Sequence, residues 1–245
     1  MAKAQLELRE ERPLSDQPSY EIQGRTVTLP CEVRDASSGT VMYMVPALEA
    51  QKLVPDAYEV LEPAPGQTQL SLLMVDYRDN DLGDYNEVGI IFFVKPRGGS
   101  DEQAGTYIYE LPVNQSFTCE AGCRIWGFPK SVQEIDIDTT DESATCRLVM
   151  DGRHVFTLTL PRGGSDETPD TTSIGYTLLD GVPNRNDFTR GATGESTTPG
   201  GQGVTLELGD HPVAEVLRKL GLPKEPLLSN WSEHMTGLFG PSTPL

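Results

Sequence analysis

Short segments that alternate between apolar and polar residues, or run apolar, recur along nearly the whole chain, and each is bounded by turn residues. They fall at 25–34, 68–77, 87–95, 106–113, 133–139, 144–151, 153–160, 173–180 and 203–208. A period of two between turn signals is the mark of strands, and helical periodicity is scarce. Asp151-Gly152 joins two of these segments and reads as a tight hairpin, because both residues tolerate positive φ. Within 134–138, Ile135 and Ile137 share a face and the carboxylates take the other.

Helix signals are confined to two places. The stretch 45–55 is short and amphipathic. The stretch 210–223 has Asp210 as N-cap and Pro212 in the first turn. Val213, Val216, Leu217 and Leu220 line one face, and Gly221 and Pro223 follow as stops. Residues 184–203 are polar and turn-rich and are expected to form a mobile loop, and the terminus "LFGPSTPL" is expected to be irregular. "PRGGSDE" occurs at 96–102 and again at 161–167, which reads as two similar Gly-rich loops in preference to a duplicated half. No linker divides the chain. The expectation is a single, mostly β domain over residues 1–245 with a few helices, its antiparallel sheets curled into a barrel or packed as two layers.

The formal charge of −18 argues against nucleic acid and anionic membrane surfaces as partners, and it suits a soluble cytoplasmic enzyme. The N-terminal "MAKAQLELREERPLSD" has no apolar stretch of the kind a secretion signal carries, and the longest apolar run, "VGIIFFV" at 88–94, is strand-length rather than the ~20 residues of a membrane span. Cys31, Cys119, Cys123 and Cys146 read as reduced thiols. Cys119 and Cys123 are separated by three residues with no second close pair and no nearby histidine, so no metal is expected; nor is a cofactor, since no phosphate loop or dinucleotide fingerprint occurs.

The chain has only six lysines, and one of them, Lys130, stands directly behind Trp126, Gly127, Phe128 and Pro129. An exposed lysine is protonated and not nucleophilic, whereas burial against such an apolar wall lowers its pKa and frees the amine. A free amine condenses with a ketone or aldehyde to a Schiff base whose protonated form is an electron sink. The plainer alternative is a lysine laying its stem across aromatics. Tyr77, Tyr85 and Tyr107 are candidates to line a cavity, and Tyr85, two residues from Glu87, shares its face in a continuous strand. Trp231 reads as structural and His211 as a helix-start residue.

"CRIWGFPK" at 123–130 resembles the lysine motif of the acetoacetate decarboxylase family. "LGDYNEVGI" at 82–90 resembles its glutamate segment and "IQGRTVTLP" at 22–30 its N-terminal arginine segment, in the same order along the chain. Weaker similarity continues through 107–122 and 205–217. The resemblance implies an acetoacetate decarboxylase-like β-barrel or cone that assembles as a homo-oligomer. It implies Lys130 as the Schiff-base lysine and Glu87 as a carboxylate that orients groups and moves protons. It implies Arg25 as a cavity arginine that binds a substrate carboxylate or holds Glu87. Arg25, Tyr85, Trp126 and Phe128 are then the expected substrate-binding set.

Two departures stand out. The decarboxylases carry a second lysine directly after the first, where this chain has Ser131, so that burial, helped by Arg124, must depress Lys130. The residues ahead of the motif read Gly122, Cys123, Arg124. The leading expectation is a lyase that decarboxylates a small β-keto acid such as acetoacetate. The alternatives are a Schiff-base aldolase or dehydratase acting on a 2-oxo acid or aldehyde, and a barrel that binds a small ligand without turnover.

Overall fold

A computed structural model describes residues 17–245, and the N-terminal stretch read above as lacking a leader lies outside them. The elements are β1 (Ser19–Ile22), β2 (Arg25–Thr28), β3 (Cys31–Pro46), α1 (Ala47–Gln51), β4 (Tyr58–Val60), β5 (Gln67–Asn80), β6 (Tyr85–Pro96), β7 (Gly105–Val113), α2 (Ser116–Trp126), β8 (Lys130–Val132), β9 (Glu134–Thr139), β10 (Ser143–Met150), β11 (Arg153–Pro161), β12 (Asp166–Leu179), β13 (Val182–Pro199), β14 (Thr205–Leu208), α3 (Pro212–Lys219) and β15 (Leu228–Pro244). Seven strands in the order β6-β5-β3-β15-β13-β12-β7 close into a barrel, because β6 pairs with β7 as well as with β5. β4 and β8 extend this sheet at β6 and β7, a second sheet runs β14-β11-β10-β9, and β1 and β2 form a separate hairpin.

The sequence of β5 and β6 explains the layering. Leu70, Leu72 and Met74 on β5 and Val88, Ile90 and Phe92 on β6 point out of the barrel and join Leu148, Phe156, Leu158 and Leu160 of the second sheet in the main core. The intervening Leu73, Val75, Tyr77, Tyr85, Glu87, Ile91 and Phe93 line the barrel interior. Both faces of these strands are covered, which is why "VGIIFFV" runs apolar without alternating. Each large side chain fully buried between the sheets contributes roughly 1.5–3 kcal/mol. In β3, Cys31 and Val33 face the interior, then Ser38 and Thr40 do. The register irregularities between Val33 and Ala36 account for the change of parity, since one extra residue turns a strand over.

Several expectations need correction. Residues 184–203 are not a mobile loop: most belong to β13, an eighteen-residue barrel strand with β12 on one side and β15 on the other. Two paired neighbours satisfy its backbone, so polar, Gly- and Thr-containing composition does not prevent a strand there. The C-terminus is likewise ordered, as β15 pairs with β3 as far as Phe239 and continues along β13 to Pro244. The segment 25–34 is two strands broken at residues 29–30, and the helix expected at 45–55 is the single turn of α1. α2 was not foreseen; the Gln115 side chain caps it by accepting from the Thr118 N–H. α3 is capped by His211 and not Asp210, with Nδ1 accepting from the Val213 N–H. The hairpin at Asp151-Gly152 forms with both residues at positive φ. The two "PRGGSDE" copies sit in unrelated contexts, one after β6 of the barrel and the other leaving β11 of the second sheet. No helix among the described residues is long and apolar enough to cross a membrane.

Candidate active site

The lysine motif is a helix end that turns into a strand. α2 stops at Gly127, whose φ of 70° is the left-handed conformation glycine adopts without strain. A Cβ there would also stand 2.7 Å from the Leu178 carbonyl oxygen. The Phe128 N–H donates back to the Gly122 carbonyl, the Lys130 N–H donates to Phe128 O at 2.8 Å, and Lys130 opens β8 beside Leu111 of β7. The helix end is held by a buried network. The Trp126 carbonyl accepts from the Thr177 hydroxyl at 2.6 Å and from Asn186 Nδ2 at 3.3 Å. Trp126 Nε1 donates to Gly240 O at 2.7 Å. Asn186 lies in the stretch expected to be mobile, so β13 helps fix the lysine.

Lys130 points into the barrel. Its side chain is only 4% exposed, and its Nζ is 2.8 Å from Glu87 Oε2, whose side chain is 7% exposed. The ammonium also donates to Thr118 Oγ1 at 3.1 Å and lies 5.1 Å from the centre of the Tyr85 ring. Glu87 Oε1 accepts from the Tyr77 hydroxyl at 3.1 Å, and the Tyr77 and Tyr85 rings stack with centroids 4.4 Å apart. Burial pulls the Lys130 ammonium towards the neutral form, but the Glu87 carboxylate and the Tyr85 hydroxyl outweigh it and hold the pKa above the ordinary lysine value. The expectation of an amine kept neutral by burial is therefore overturned. The resting site holds a buried ion pair. Burial pushes the Tyr85 phenol up to about 12 and Tyr77 well above its usual value, so both remain neutral, and Tyr77 donates to Glu87.

The cavity has a volume of about 260 Å³, and Tyr85, Trp126 and Phe128 line it with Lys130 and Glu87. Trp126 and Phe128 contact each other at 5.9 Å between centroids. Arg25 is not brought to this cavity. It follows the Gln23-Gly24 turn of the β1–β2 hairpin, pairs across to Ile22, is exposed, and lays its guanidinium 4.0 Å over the Phe117 ring. Arg124 does not reach Lys130 either. It lies on the outer face of α2, donating to Glu120 at 2.8 Å and to Glu21 O at 3.0 Å. Ser131 is outside the lining, near Gln133. Tyr107 packs against Tyr58 outside the cavity. Cys119 and Cys123 are free thiols, and no group of three or more His, Cys, Asp or Glu residues that could hold a metal occurs among the described residues.

One charged lining residue has no precedent in the sequence reading. Arg190, on β13, contributes to the cavity wall. Its Nη2 donates to Glu195 Oε1 at 2.9 Å and to Ser232 Oγ at 2.5 Å. Although burial opposes it, hydrogen bonds from Thr168, Arg190 and Ser232 hold the Glu195 carboxyl down at about 2. A cation in an alternating strand would have been a signal, but the Gly- and Thr-rich surroundings masked the strand.

The acetoacetate decarboxylase (ADC) family model matches residues 13–242. No curated protein matches the chain. Among solved structures, the chain is similar to acetoacetate decarboxylase from Legionella pneumophila, at 17% identity and a TM-score of 0.70, over 98% of this chain and 93% of that one. It is similar to an acetoacetate decarboxylase-like enzyme from Sphingomonas wittichii RW1, at 15% identity and a TM-score of 0.56, over 89% and 94%. It is also similar to the enduracididine biosynthesis enzyme MppR complexed with the condensation product of pyruvate and imidazole 4-carboxaldehyde, at 15% identity and a TM-score of 0.58, over 86% and 87%. At these identities the likeness is one of fold.

Proposed function

Because the chain belongs to the acetoacetate decarboxylase family, we propose that it is a Schiff-base-forming lyase that joins Lys130 to the carbonyl of a small oxo acid and decarboxylates a β-keto acid such as acetoacetate. The observation that carries this reading is the 2.8 Å contact between Lys130 Nζ and Glu87 Oε2 inside the cavity. Glu87 takes a proton from the ammonium, and the freed amine adds to the carbonyl carbon. The carbinolamine oxygen leaves as water with one proton drawn from solvent, while Glu87 keeps the proton it took, and the iminium results. The bond to the carboxylate then breaks, carbon dioxide departs, and the electron pair moves to the iminium nitrogen to give an enamine. Glu87, now an acid, protonates the enamine carbon, and water hydrolyses the new iminium to release the ketone and restore the amine. The Tyr77 hydroxyl steadies Glu87 through these changes. Arg25, exposed on its hairpin, takes no direct part.

A second reading, aldol-type condensation or dehydration on a 2-oxo acid or aldehyde, is favoured by one observation. Neither Ser131 nor Arg124 supplies a cation beside Lys130, so the neighbouring charge that would depress it is missing among the described residues. Both readings use the same iminium and differ in whether carbon dioxide is released. On either, the chain acts as one domain, needs no cofactor and works in the cytoplasm. The outer edges of β4 and β8, which end the open run of the barrel sheet, favour a homo-oligomer.

The test is reductive trapping. The protein is incubated separately with acetoacetate and pyruvate, borohydride is added, and the modified peptide is identified by mass. Adduct on the Lys130 peptide, absent in Lys130→Ala, is the expected result. With acetoacetate, adduct that has lost its carboxylate identifies the decarboxylase, and adduct that retains it identifies the second reading. Absence of any adduct leaves a ligand-binding barrel.

A further inference from the structure

We propose that Arg190 recognises a carboxylate that the substrate keeps through the reaction, so that the preferred substrate is an oxo acid with a retained carboxylate remote from the carbonyl that meets Lys130. This deepens the Schiff-base reading of the cavity and rests on it.

The charged residues lining the cavity are Glu87, Lys130 and Arg190, and the first two satisfy each other. Arg190 is different. Its Nη2 serves Glu195 and Ser232, while its Nε and Nη1 donate to no acceptor among the described residues. The side chain is 31% exposed, so one part of the guanidinium is anchored and the rest is open to an incoming group. A planar fork with unspent donors at an apolar wall is suited to a carboxylate.

Its place in the barrel sets what it can hold. β13 is separated from β6 by β12 and β7 in one direction and by β15, β3 and β5 in the other. Arg190 therefore projects from the wall opposite Glu87. Ile91, Phe93, Ile108, Phe188 and Phe239 supply apolar lining besides the two polar poles. A carboxylate that leaves as carbon dioxide loses its charge on the way to the transition state. A guanidinium gripping that group would stabilise the ground state more than the transition state and slow the step. A cation across the cavity from the amine instead fits an anionic group that is not lost, joined to the reacting carbonyl by apolar carbons.

Two ketones of nearly the same size separate this from the underlying reading. 4-Oxopentanoate has a retained carboxylate and nothing to decarboxylate, and pentan-2-one lacks the carboxylate. Reductive trapping on Lys130 is measured against concentration for each, in the wild type, in Arg190→Gln and in Arg190→Gln/Glu195→Gln. The double variant leaves no unpaired buried carboxylate if the single one folds poorly. In the wild type, half-trapping by 4-oxopentanoate is expected at a concentration about 10- to 100-fold below that for pentan-2-one, the range of a charge-assisted hydrogen bond. Both variants are expected to bring the two ketones to within about 2-fold of each other. If the two ketones trap alike in the wild type, or if the preference survives in the variants, the role of Arg190 is refuted while Lys130 chemistry stands. If neither ketone traps and acetoacetate and pyruvate also fail, the Schiff-base reading falls and takes this proposal with it.

Discussion

Gly122 of α2 lies against the stem of Lys130: a Cβ built on Gly122 would stand 2.6 Å from Lys130 Cδ and 2.7 Å from Cε. The helix has given up a side chain so that the lysine can pass. Gly122→Ala therefore sets two effects against each other. Alanine favours a helix interior by about 1 kcal/mol, but the methyl must push the lysine aside, and the lysine end is pinned by Glu87 and Thr118. The expected outcome is a melting temperature close to wild type together with turnover reduced on the order of 100-fold, because small misplacements of a reacting group cost about that much. Thermal unfolding and initial rates on the same preparation check it. Equal loss of both would show that Gly122 serves folding alone.

Glu87 is paired with Lys130 and favours its protonated form, and in the proposed mechanism it also takes the lysine's proton; substitution separates the two roles. In Glu87→Gln the counter-charge is gone and burial dominates, so the lysine pKa falls. Acylation of Lys130 by acetic anhydride near neutral pH is expected to become faster than in the wild type. Turnover is expected to drop by about 10²- to 10⁴-fold, the usual contribution of a positioned acid–base group. Slower acylation in the variant would mean that Glu87 does not govern the ammonium.

The Arg190–Glu195 pair gives a pH dependence of stability whose sign is fixed. The Glu195 pKa is lowered on folding from 4.5 to about 2. Its contribution is therefore fully present above about 4.5 and is lost as the pH falls through about 2. The melting-temperature difference between wild type and Glu195→Gln is expected to be largest near neutral pH and to shrink steadily below about 4.5. A difference independent of pH across that window would assign the loss to packing.

The parts of this protein that were legible beforehand are those where one face of an element is wetter than the other. The β10–β11 hairpin declares itself through Asp151-Gly152, and β9 through Ile135 and Ile137. Lys130 and Glu87 were legible because their neighbours form distinctive strings, and the structure brings the two together. β13 was not, because a barrel strand between two partners needs no apolar face, and its Thr and Gly residues read as turn. With that strand went Arg190. Arg25 drew attention instead through its motif, yet the Gln23-Gly24 turn carries it to a hairpin tip. The resting charge of Lys130 was also beyond reach. Aromatic neighbours announced burial, but the opposing Glu87 is forty-three positions away in sequence, and only the β6–β7–β8 pairing places it within 2.8 Å.

The two-faced construction of β5 and β6 has a consequence for how such an enzyme diverges. Leu70, Leu72, Met74, Val88, Ile90 and Phe92 clamp the barrel to its covering sheet, while Leu73, Val75, Ile91 and Phe93 face the cavity. Alternation along one strand thus keeps two kinds of selection on separate residues. Interior positions are free to drift with the shape of the substrate while the outward ones conserve the scaffold, so a new specificity can be reached by single substitutions that leave the folded state standing.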